Sequence, residues 1–172
     1  MPIFKIKFWA MKKLTLFLSL YSLISQGQVN NKIEGITINA PCEIEYTRNI
    51  NNQNNYTCNN IKGNTLINYT IHVTNLFNDM NGLNENSLKV YKKTYLKVAK
   101  ENAEKLKETT KYITLFNRID ALSIIAFLDY SGIKYKNTSI MFIYRNKGYI
   151  VNLVSNDLKS SSIKEIIKRI KI

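Results

Sequence analysis

The 172-residue chain contains one histidine, His72, and two cysteines, Cys42 and Cys58. A single histidine excludes metal sites built from several imidazoles. As a general base it would also lack a Ser or Cys partner motif. The cysteines lack the C-x-x-C spacing of a redox or metal pair. There are two prolines, and the six glycines are scattered. No phosphate-cradling loop or dinucleotide fingerprint can be built from them. Acidic residues are few, 12 Asp and Glu against 25 Lys and Arg. Glu43 and Glu45 share a face of an alternating segment and read as solvated. Asp120 and Asp129 fall in turn segments, where Asp is at home. No catalytic, cofactor-binding or metal-binding residue emerges. The chain reads as non-enzymatic, with a hydrolase of unrecognised site as the least favoured alternative.

What is present begins with a targeting pattern. Lys5, Lys7, Lys12 and Lys13 precede an uncharged apolar stretch, residues 14–25 (LTLFLSLYSLIS). That stretch is shorter than the ~20 residues of a membrane span. Ser25 and Gly27 offer small residues for cleavage before Gln28. Residues 1–27 therefore read as a signal peptide, with Met11 as an alternative start. Residues 28–172 read as one exported domain, periplasmic or extracellular. The lysine-rich leader favours a bacterial source. Loss of the leader would take four lysines with it and lower the formal charge from +13 to +9. The remaining surplus fits either a composition rich in Lys, Asn and Ile or an anionic partner. An exported chain with an even cysteine count predicts a Cys42–Cys58 disulfide. Its loop of about 15 residues would contribute roughly 3 kcal/mol. The pair flanks an Asn-rich loop, 49–55, and so predicts a staple between adjacent strands.

Alternation predicts strands at 32–39, 42–47 and 65–74, and residues 56–59 could pair back. A long helix is predicted over 87–111, with Asn84, Asn86 and Ser87 as capable caps. Leu88, Tyr91, Tyr95, Val98, Asn102 and Leu106 form its apolar face. Lys89, Lys93, Lys97, Lys100, Lys107 and Lys111 form a separate basic stripe. Strands are expected at 112–116 and 121–130, then a polar connection at 133–137. Residues 138–155 (TSIMFIYRNKGYIVNLVS) read as the central hairpin, turning at Asn146-Lys147-Gly148. Placing Tyr144 opposite Tyr149 puts Ile140, Phe142, Tyr144, Tyr149, Val151 and Leu153 on one face, whereas Gly148 as the left-handed residue of a three-residue loop would put Arg145 opposite Tyr149. A short helix follows from about Ser161, with Ser162 and Glu165 at capping-box spacing. The expected fold is α+β: an antiparallel sheet of about six strands covered by a long central helix and a C-terminal helix.

Several features resemble the PsbP-like domains, which share an α/β/α sandwich with the Mog-type Ran-binding proteins. They are the strand running into Pro41, the Tyr69-x-x-x-Val73 strand, the long helix, a strand beginning Gly148-Tyr149-Ile150-Val151, and a last helix with Ile166 and Ile170. The resemblance implies a non-enzymatic accessory or binding module and carries over no functional residue. The leading expectation is thus an exported protein that acts through a protein partner in the cell envelope. It would use an uncovered sheet face or the groove beside the long helix. The second is binding of an anionic polymer or membrane surface through the lysine stripe. Nucleic acid is disfavoured by export and by the placement of Tyr91 and Tyr95 on the apolar face.

Overall fold

The computed structural model describes residues 28–159 and 161–172. The proposed signal peptide lies outside the described residues. Strands β1 (Val29–Ile33) and β2 (Ile36–Ala40) form a tight hairpin. Its turn is Glu34-Gly35, both at positive φ (46° and 103°). Strand β10 (Ile170–Lys171) adds to β2 and completes a three-stranded sheet. The larger sheet is built from β3 (Glu45–Ile50), β4 (Gln53–Lys62), β5 (Thr65–Asn75), β6 (Thr109–Leu115), β7 (Ile119–Tyr130), β8 (Ile133–Tyr144) and β9 (Lys147–Ser155). Its order is β3-β4-β5-β9-β8-β7-β6, antiparallel throughout. Three helices are described: α1 (Phe77–Met80), α2 (Glu85–Lys105) and α3 (Ile163–Arg169).

The core lies between the two sheets. Period-two alternation sends Tyr69, Ile71 and Val73 of β5, Ile140 and Phe142 of β8, and Tyr149, Val151 and Leu153 of β9 to one face. There they meet Ile33, Ile36 and Ile38 of the small sheet, and Ile166 of α3. Phe142 and Tyr149 stack at 5.1 Å between ring centroids. Ser162 caps α3 by accepting from the Glu165 N–H at 3.3 Å. On the opposite face, α2 packs over β6, β7 and β8. Its Leu88, Tyr91 and Tyr95 join Leu76, Met80 and Ile143 in a smaller cluster.

The expected six-stranded sheet covered by a long helix is therefore corrected. The described chain is mostly β, with ten strands in two sheets, and α2 covers only one end of the larger one. The missing strands come from segments that read as loops. The Asn-rich stretch belongs to β3 and β4, which turn at Asn51-Asn52, both at positive φ (51° and 63°). Asparagine tolerates that conformation better than most residues. The polar segment 133–137 continues β8, because part of that strand projects beyond β9 and needs no apolar face. The 32–39 strand is split by Glu34-Gly35.

The long helix is also shorter than expected. It stops at Lys105, where Lys107 takes φ 61°. The N–H groups of Lys107 and Glu108 then bond back to the carbonyls of Glu104 and Ala103 at 2.9 and 3.1 Å. This is a Schellman closure with lysine at the left-handed position. Val98, Asn102 and Leu106 face solvent, and Leu96 and Ala103 are buried instead. The hairpin keeps its expected face, but its register is displaced by two residues from the expected one. Phe142 is opposite Tyr149, and the turn is Arg145-Asn146 at φ 47° and 59°.

Candidate binding sites

The disulfide forms between Cys42 and Cys58, with Cα atoms 6.0 Å apart. Cys58 points into the core from β4, and Cys42 follows Pro41 at the end of β2. The bond therefore ties the small sheet to the large one rather than stapling adjacent strands. His72 lies on the large-sheet face that α2 only partly covers, half-buried with Nδ1 against Asn55 Oδ1. Burial lowers its pKa below the ordinary value. Beside it, the Asn59, Asn68 and Thr70 side chains bond to one another. This open half of the sheet is polar, which makes it a poor apolar docking surface. Among the described residues no group of three or more His, Cys, Asp and Glu side chains is placed to hold a metal ion.

The six stripe lysines do not stay together. Lys89, Lys93, Lys97 and Lys100 lie on α2, Lys107 closes it, and Lys111 is on β6. Alternation turns Lys111 to the face of β6 opposite Tyr112. Lys97 and Lys100 pair with Glu101 and Glu104 at 3.8 and 3.2 Å. Lys93 makes no ion pair within the described residues. Lys93 and Lys97, with Leu96 between them, overhang Tyr112 and Thr114 of the edge strand β6. Together with Asp120 they bound a cleft of 430 Å³. The Lys100 ammonium stands 5.7 Å from the Tyr112 ring centroid. Tyr112 is half exposed. As an edge strand, β6 turns alternate N–H and C=O groups outward, and β7 is its sole strand partner among the described residues.

A second, polar cavity of 370 Å³ lies where the β1–β2 turn meets the larger sheet. Glu34 is its centre. Its Oε2 accepts from Lys147 Nζ at 2.7 Å. Its Oε1 accepts from Tyr56 Oη at 2.6 Å and Asn54 Nδ2 at 2.7 Å. The Tyr149 hydroxyl donates to the Glu34 carbonyl at 2.8 Å, fixing the turn from below. Burial alone would raise the Glu34 pKa, but the donors Lys147, Tyr56 and Asn54 and the Lys147 charge hold it below the usual range. The same burial and the nearby carboxylate raise Tyr56, and push Tyr149 up to about 12. Asn49, Asn52, Asn75 and Asn78 complete the lining.

This cavity was not foreseen from sequence. Glu34 sits in an apparent strand, Lys147 in an apparent turn, and the asparagines are spread along an Asn-rich chain. The Glu-Gly pair inside an alternating run was the one available signal for the β1–β2 hairpin. By contrast, Lys93 and Lys97 stand out in the sequence as part of a basic stripe, while Tyr112 and Thr114 carry no such signal.

No protein-family model matches the chain, and no curated protein matches it. Two solved structures have partial likeness. One is a Bacteroides thetaiotaomicron VPI-5482 protein, at 9% identity and TM-score 0.48, covering 79% of this chain and 44% of that one. This chain thus spans less than half of its length. The other is a protein of unknown function from Pseudomonas aeruginosa, at 13% identity and TM-score 0.43, covering 68% and 85%. Likenesses at this level carry no argument about function.

Proposed function

We propose that this chain is an exported, non-catalytic binding module that takes an extended acidic segment of a partner protein along β6. The observation that carries the reading is the combination of an unpaired strand edge with Lys93 and Lys97 directly above it. A strand added to β6 would satisfy the outward backbone groups, which supplies affinity without regard to sequence. Acidic side chains on the incoming strand would meet the lysines, and an apolar one would meet Leu96 or Tyr112. The Cys42–Cys58 disulfide supports an oxidising compartment. No described helix is long and apolar enough to cross a membrane.

Binding to a polyanion or membrane surface is less well supported, because Lys100 is paired with Glu104 and Lys107 and Lys111 leave the helix, which breaks up the stripe. Selection from a linear peptide library tests the choice. Acidic, strand-forming sequences should be enriched, and Lys93→Glu/Lys97→Glu should abolish their retention. Enrichment without acidic bias, or unaffected by the double variant, would contradict the reading.

A further inference from the structure

We propose that the Glu34–Lys147 cavity is a second site, which binds a neutral carbohydrate. Its polar groups converge from segments far apart in the chain. Glu34 comes from the β1–β2 turn, and Asn49, Asn52 and Asn54 from the β3–β4 hairpin. Asn75 comes from the end of β5, Asn78 from α1, and Lys147 from β9. A generally Asn-rich composition accounts for many amides, but not for their meeting around one half-buried ion pair.

The chemistry of the lining selects the ligand class. The Asn52 and Asn78 amides offer donors and acceptors that match sugar hydroxyls, which both donate and accept, while Asn49 and Asn54 are tied to each other and to Glu34, and Asn75 Oδ1 accepts from the Phe77 N–H. Glu34 and Lys147 neutralise each other at 2.7 Å, so the cavity has no net charge to draw in an ion. Glu34 is also held in place by Tyr56 and Asn54, and so is set before any ligand arrives. Asn52 and Asn78 have no hydrogen-bond partner among the described residues, which leaves their amides free for a ligand. The 370 Å³ volume falls within the range of small-molecule sites. The principal competitor is a zwitterionic amino acid, which could exchange into the Glu34–Lys147 pair.

Side-chain amide NMR on the whole domain tests this directly. The probes are glucose, galactose, N-acetylglucosamine and cellobiose, backed by an array of neutral glycans, with glycine and glutamate as zwitterionic probes. At least one neutral sugar should shift the Asn52 and Asn78 side-chain NH₂ signals. Asn52→Ala/Asn78→Ala should weaken that binding by about tenfold or more, for the loss of two hydrogen bonds. Lys93→Glu/Lys97→Glu should leave it unchanged, which separates this site from the β6 cleft. The proposal is overturned if no neutral sugar moves these signals, or if glycine or glutamate moves them and sugars do not.

Discussion

Gly148 lies directly beneath Tyr95. A Cβ built on Gly148 would stand 2.8 Å from the Tyr95 hydroxyl and 3.3 Å from Leu76 Cδ1. The glycine is therefore not the turn residue of the β8–β9 hairpin. It is the seat on which the long helix rests, and it fixes how closely α2 approaches the sheet. That spacing in turn sets the height of Lys93 and Lys97 above β6.

Gly148→Ala should destabilise the domain by about 1–3 kcal/mol through overpacking. Urea unfolding would measure it. Tyr95→Phe removes the nearest atom and should recover part of the loss in the double variant. Equal stability of wild type and Gly148→Ala would show that α2 is free to lift.

Cys42→Ser/Cys58→Ser should lower stability by roughly 3 kcal/mol. The bond closes a separation of 16 residues and joins two sheets, so the variant should also expose the small sheet to proteolysis before the large one. A reducing agent should reproduce the effect in wild type and leave the variant unchanged.

His72 predicts a pH dependence. Its folded pKa lies below the ordinary 6.5, so the unfolded chain binds the extra proton more readily. Stability from this group is complete above 6.5 and falls as the pH drops below it. His72→Gln should flatten that part of the profile. Glu34, whose folded pKa is depressed, acts in a lower window, losing its contribution as the pH falls below 4.5. A profile of wild type and both variants, Glu34→Gln included, separates the two windows.

Lys107→Gly tests the closure of α2. Lysine in the left-handed region costs about 1 kcal/mol or more, which glycine avoids at some cost in unfolded-state entropy. The expected outcome is a gain of up to about 1 kcal/mol in thermal unfolding, and a loss would show that the lysine side chain contributes more than its backbone costs.

Much of the hairpin core was legible because a buried sheet face imposes strict alternation. Ile140, Phe142, Val151 and Leu153 declare themselves that way whatever the register. The Asn84 and Ser162 caps follow from local side-chain chemistry and were visible too. Strands at the margins were not. β3 is exposed along its whole length, so the alternation at 42–47 marks only its beginning and its Asn-rich end reads as loop. The Arg145-Asn146 turn takes positive φ without glycine, so composition points to Asn146-Lys147-Gly148 instead, while the Asn51-Asn52 turn falls inside the Asn-rich stretch that reads as loop. The β6 cleft was half visible, through its lysines. The Glu34 cavity was not, because its members meet only when β1–β2, β3–β4, α1 and β9 come together.

Amide hydrogen exchange across β6 tests the central claim most directly. With an acidic peptide from the library bound, alternate N–H groups between Thr109 and Leu115 should gain protection, those turned away from β7. Methylating the peptide backbone at alternate nitrogens should abolish that protection and the binding together. Protection confined to α2 or to the open polar face, with β6 unchanged, would contradict strand addition and leave the lysines as a simple charged surface.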